Sequence, residues 1–512
     1  MRIKWVRNIS RVVTRLRRAK ERSLHEFNFN DQYYDSGSTS HQSRFSIAGL
    51  VAVTAVALLN TADSEEPLNT KKYSRNAYLT NMETLLSTHY PRLSNLPEEL
   101  LTLIIEQLDW VQQNTAFTPQ ASVIYDASDN KINISNHLNR EILRALTRIE
   151  MLLLITQTDI NDPEQIAQSY QIFTQDQRES EKLSFPDFCR VINEFKINDV
   201  ELDAQIRAVL IGAVTLSPTA NAILAQTQYA KQYPYDSVQF SGFTVTLTPE
   251  MYPAYSSASS EVQRLIHFAF PNDKQHWRHM FYLENNSAFQ DFERANLSSE
   301  ALSFWKRYWL INAFGFNGHI KMDSAVFFDD SVALRANLLH AAMDTHLQSP
   351  AINTAITYAN LCAKQLKIKA SEDEALLLTR MMTMTNLMTP VAASSMYQAL
   401  QEYSDRDALL QLHKQTFKST ILVTYLPALL FNVWSFRHQM SDVIAAFHWA
   451  NRIISGFTHN NPLSFRTMDR AAVEILIAFQ FSDEALAINE KGEVSAQVPP
   501  ILQKTKGSGL DQ

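Results

Sequence analysis

From Phe45 to Ala62 the chain reads FSIAGLVAVTAVALLNTA, eighteen residues without a charge. Beyond it, apolar residues return every three or four positions through most of the next 450 residues, the spacing that lines one face of a helix. Leu96 to Leu108 starts such a helix, with Pro97 near the first turn and Glu98 and Glu99 suited to its N-terminal dipole. The same period predicts helices over 136–157, 163–176, 187–197, 299–313, 332–347, 350–367, 372–388, 393–403, 405–417, 440–456 and 468–481. Ser298 reads as the N-cap of the helix that Gly315 ends. Thr420 to Trp434 is uncharged too, and Pro427 inside it suggests a buried helix pair.

Two stretches alternate instead. Val123–Tyr125 and Ile132–Ile134 flank a turn at Asp126–Asn130, which predicts a hairpin. Val238–Leu247 reads as a strand with Gly242 as a bulge. The expected fold is therefore mostly α: a multi-helical body with one or two small β-hairpin elements, preceded by an amphipathic basic helix and a single transmembrane helix. The expected divisions are an arm and Ser-rich linker (1–44), an anchor (45–62), a helical domain with the hairpin (63–260), an aromatic- and His-rich then helical domain (261–490), and a disordered tail (491–512).

The uncharged run is at the short end of what crosses a hydrocarbon layer of about 30 Å. Arg44 bounds it on one side, and Asp63, Glu65 and Glu66 on the other. A buried core helix and a cleaved secretory signal remain alternatives, although a cut after Ala62 puts Asn60 at −3 instead of a small residue.

Charge sharpens this picture. Residues 1–44 carry ten Lys/Arg and four Asp/Glu, a net of +6, while the remainder holds 36 against 49, a net of −13. On a helical wheel Arg7, Arg11, Arg15, Arg18 and Arg22 share one sector, and Trp5, Ile9, Val12, Val13, Leu16 and Ala19 the opposite one. Such a helix suits an anionic membrane surface, with the apolar stripe in the headgroup region and guanidinium groups on phosphates. It is also similar to a mitochondrial targeting segment, and it could dock on the chain's own acidic body. The expected partners are anionic lipid, through Trp5 and the five arginines, and a protein. No nucleic acid is expected, since no recognition motif accompanies the basic stripe. The basic excess before the run places the N-terminus on the cytoplasmic side of a single-pass anchor.

Composition narrows the chemistry. Ten glycines in 512 residues, without GxGxxG or GxxxxGK[ST], argue against a phosphate-cradling α/β fold. Cys189 and Cys362 alone make neither a disulfide framework nor a Cys-based zinc site. No cofactor is expected.

Six of fourteen histidines (His267, His276, His279, His319, His340 and His346) fall within 80 residues, with Asp329, Asp330 and Asp344 among them. His340 and Asp344, four apart, share a helical face and are the candidate pair of metal ligands. HAAMDTH faintly resembles the HxxxDxxH helix of haem-oxygenase-like di-iron oxidases, but the spacing differs and no partner ExxH helix is evident. KLSFPDFCRVI resembles the exit of an EF-hand, yet Arg178 would stand at a ligand position, which excludes calcium. LSNLPEELLTLIIEQL (93–108) resembles the opening of an F-box, which implies docking on a ubiquitin-ligase adaptor through Leu96, Pro97, Leu100, Leu101 and Ile104. Low glycine, abundant Asn/Gln and the helical body resemble, in composition, effectors secreted by Legionella-type intracellular bacteria. The function expected from all this is that of a membrane-tethered α-helical interaction protein. The alternative is a metal-dependent enzyme at His340 and Asp344.

Overall fold

The structure is a computed structural model. It describes residues 86, 89–114, 124–125, 131–132, 140–195, 206–213, 253–269, 277–419, 421, 423–457, 463–465, 467–490 and 492–497. The basic arm, the uncharged run Phe45–Ala62 and the expected strand Val238–Leu247 lie outside these residues. The described part is mostly helical, with three ladders of two strands each. Among the described residues no helix is long and apolar enough to cross a membrane.

These residues form two compact units. One holds the described residues up to Trp277 together with Ala288–Thr354. The other holds Arg278–Ser287 and Ala355 onwards. The aromatic-rich composition after residue 260 therefore does not mark the boundary, because its helices complete the core of the first unit.

In the first unit, helices run over Glu98–Asn114 (α1), Arg140–Gln157 (α2), Pro163–Thr174 (α3), Phe185–Glu194 (α4), Ser260–Ala269 (α5), Ser287–Ala295 (α6), Ser299–Phe314 (α7) and Asp330–Gln348 (α8). Their starts follow the local chemistry. Asp162 accepts from the Glu164 and Gln165 amides with Pro163 behind it, Ser184 caps α4, and Ser298 caps α7 by accepting from Ala301 N. The expected hairpin is present as Ile124–Tyr125 (β1) against Lys131–Ile132 (β2), antiparallel, with Ile124 opposite Ile132. Helices α2 and α7 are buried on nearly every side, as central helices are, and α7 packs on α2, α5 and α8. Phe173, Phe314 and Phe328 stack edge-on at 4.8–6.2 Å between centroids.

The second unit contains Thr354–Gln365 (α9), Glu372–Thr385 (α10), Pro390–Gln401 (α11), Arg406–Phe417 (α12), Leu426–Arg437 (α13), Met440–Gly456 (α14) and Arg470–Ala478 (α15). Ser371 and Glu374 form a complete capping box on α10. Helix α14 packs on α11, α12 and α13, and α10 packs on α12 and α13.

Two expectations need correction here. The stretch Thr420–Trp434 is not a helix pair: Val423–Thr424 (β3) pairs in parallel with Leu463–Ser464 (β4), and α13 begins only at Leu426. The β-branched pair before the proline takes the extended form, and Pro427 sits in the first helical turn, where its missing N–H is harmless. Nor is the chain disordered throughout from 491. Leu486–Ile488 (β5) and Val494–Ala496 (β6) form an antiparallel hairpin, with Val494 fully buried. Gly492, at φ 80°, makes the turn possible.

Candidate functional site

The structure separates the histidines the sequence grouped. His319 accepts from Arg144 Nε at 3.1 Å. His346 Nδ1 bonds the Ile352 carbonyl at 2.9 Å. His279 Nδ1 lies 2.5 Å from Glu284 Oε2. The side chains of His267 and His276 lie outside the described residues. Asp329 is spent capping α8, and Asp330 accepts from the Ser184 amide. Among the described residues no group of three His, Cys, Asp or Glu side chains is placed to hold a metal ion.

His340 and Asp344 do share a face of α8, but they do not bond to each other. Asp344 Oδ1 takes the Lys306 ammonium at 2.5 Å. His340 is buried edge-on against Trp309, and its Nε2 has no partner. Burial, and then the nearby Lys306 charge, hold its pKa well below the usual histidine value. The Lys306 ammonium beside the pair repels a metal ion, and it already occupies the Asp344 carboxylate.

The F-box-like helix is α1. Its Leu100, Ile104 and Leu108 are buried within the chain. Leu96 and Leu101 are half-buried and Pro97 is exposed. Trp5 and the five arginines of the arm lie outside the described residues.

A polar centre that the sequence reading did not assemble lies inside the second unit. It is built on the strap Arg278–Ser287. A short helix, Trp277–Phe281, ends there with Leu283 in the left-handed region at φ 54°. Glu284 N bonds His279 O at 2.9 Å and Leu283 N bonds Met280 O at 3.0 Å, the pattern of a helix C-terminus normally closed by glycine. Leucine stands in glycine's place, with its side chain fully buried.

The helix end leaves carbonyls without helical partners. Four successive ones are taken by side chains of this unit. Tyr358 Oη donates to Phe281 O at 2.9 Å, and Thr383 Oγ1 to Tyr282 O at 3.0 Å. Arg380 Nε donates to Leu283 O at 2.9 Å and its Nη2 to Glu284 O. Asn285 Nδ2 then donates to Val423 O at 2.8 Å.

Arg380 is therefore the hub. Its guanidinium is buried and lies over the rings of Phe417 and Phe447 at 5.1 and 5.2 Å. Burial pulls its pKa down to about 9, opposed by the Glu284 charge. The Glu284 carboxylate turns to His279 and not to Arg380, so Arg380 meets the backbone of Glu284 and His279 meets its acid. Against the same two rings, 6.0 Å from each, lies His413, fully buried, with neither ring nitrogen partnered. Glu284 Oε1 and Arg380 Nη1 also find no partner among the protein atoms. Only His279 of this set belonged to the group marked in the sequence. The available signal for the rest was Arg380, at the head of a Met-rich stretch that carries no charge from 381 to 401.

No protein-family model matches the chain, and no curated protein or solved structure matches it either. The reading of function rests on the residues themselves.

Proposed function

We propose that this chain is a membrane-tethered helical protein that works by binding another protein, of the kind intracellular bacteria secrete as effectors. One observation carries the tether: an uncharged run of eighteen residues stands between an arm of net charge +6 and a body of net charge −13. The arm meets anionic headgroups through Arg7, Arg11, Arg15, Arg18 and Arg22, with Trp5 at the interface. The run anchors the chain, and the body projects from the surface.

Two features support an interaction role for the body. Several of its buried charges have internal partners: Glu141 with Arg144 at 2.6 Å, Glu150 with Arg92 at 2.8 Å, Lys306 with Asp344 at 2.5 Å. Such pairs fix packing. The acidic exterior also keeps the body off an anionic bilayer and leaves it free for a partner.

Flotation with vesicles tests the proposal. Full-length chain should float with anionic vesicles, and a chain lacking residues 45–62 should stay at the bottom of the gradient in high salt with unchanged helical content. Flotation of both chains in high salt would refute an anchor at this run.

A further inference from the structure

The strap Arg278–Ser287 is held in an unusual way. Its carbonyls from Phe281 to Glu284 are met by the side chains of Tyr358, Thr383 and Arg380, while those of His279 and Met280 take backbone amides at the helix end. A leucine sits in a backbone conformation that favours glycine, which stores strain. Beside it, Glu284 Oε1, Arg380 Nη1 and both nitrogens of His413 are buried without partners. Strain and unmet polar groups at one contact mark a segment nearer to release than the helices around it.

We propose that this strap is an acid-released clasp on the second unit. The trigger is His413, which is neutral and stacked with Phe417. The charged groups that act on it come from α10, which brings Arg380, and from α12, which brings Lys414, paired with Asp373 of α10 at 2.5 Å; the strap's Glu284, bonded to His279, acts in turn on Arg380. Helix α14 presents Phe447 and Asn451, which do not titrate.

Protonating His413 places a second positive charge beside the Arg380 guanidinium in a buried site. Burial, then Arg380, then Lys414, oppose that proton and hold the folded-state pKa well below 6.5. The sign follows. A base whose folded pKa is depressed gives stability that is whole above its unfolded value and is lost as pH falls below it. Losing the Arg380 bonds frees the carbonyls of Leu283 and Glu284, and the relaxed Leu283 strain favours release. The strap opens first because its carbonyls from Phe281 to Glu284 are held by side chains of other elements. Opening uncovers Tyr358, Thr383 and Arg380.

Hydrogen exchange of the full chain, corrected for intrinsic rates, tests this at about pH 7.5 and about pH 5. Strap amides should gain at least about tenfold in relative rate at the lower pH, roughly one unit of linkage, while α15 stays protected. In His413→Phe, or in His413→Leu if the first does not fold, that gain should vanish. Arg380→Met should raise strap exchange already at neutral pH. Unchanged strap exchange in the unmodified chain, loss of protection in strap and α15 together, or a gain that survives His413 replacement would each overturn the proposal.

Discussion

Asp344 pairs with Lys306 at 2.5 Å and leaves His340, one turn earlier on the same helix, with an unpartnered ring nitrogen. The two residues on the shared face thus contribute oppositely. Lys306 is nearly buried, so Asp344→Ala strands its charge and should lower stability by about 1–3 kcal/mol. His340→Leu removes a buried polar atom that bonds to nothing, and should be neutral within about 1 kcal/mol. Urea unfolding of the two variants checks the order. A larger loss in His340→Leu would mean that the ring nitrogen does have a partner.

Two glycines bring the turn after α7 close to α2. A Cβ at Gly315 would come within 3.0 Å of Arg148 Cγ and of the Arg144 backbone carbonyl, and one at Gly318 within 3.0 Å of Thr147. Gly315→Ala and Gly318→Ala should each cost about 1–3 kcal/mol by overpacking, Gly315 the more because backbone cannot swing aside. Gly456, near the end of α14, has open space around its Cβ position. Gly456→Ala should stabilise by about 0.5–1 kcal/mol, and thermal midpoints separate the three variants.

What could be read in advance was local. The cap at Ser298, the stop at Gly315 and the pairing of Ile124 with Ile132 depend on neighbours in sequence, and each stands where the pattern predicted it. What escaped was non-local. The partner of Val423 lies at Leu463, and the carbonyls that Arg380 grips lie 96 and 97 positions before it. Nothing in a window around Arg380 separates a buried hub from a surface charge. His340 and Asp344 illustrate the same limit: helical spacing put them on one face, but Lys306, from another helix, decides what Asp344 does.

Glu374 gives a pH dependence of known sign. Burial works against its charge, but hydrogen bonds from Arg406, Ser371 and Gln401 outweigh it and hold its pKa at about 2, below the ordinary 4.5. The stabilisation is therefore present above pH 4.5 and is lost as pH falls through 2. Glu374→Gln should flatten that part of the stability profile, and Ser371→Ala should cost about 1 kcal/mol through the broken capping box. Urea midpoints between about pH 5 and pH 2 are the measurement.

The arm makes a prediction independent of the body. A peptide of residues 1–24 should gain helicity on anionic vesicles and lose it as salt screens the arginines. Equal helicity on neutral vesicles would assign its binding to the apolar stripe alone.

The tether itself is tested most directly by charge in the middle of the uncharged run. Each lysine at the centre of a spanning helix costs about 2.5–3.5 kcal/mol on insertion scales, so Val53→Lys with Val56→Lys should abolish insertion. Full-length chain should stay in the membrane pellet through salt and carbonate washes, and the doubly substituted chain should move to the supernatant with its helical content intact. Recovery of the unsubstituted chain in the salt-washed supernatant would contradict the account.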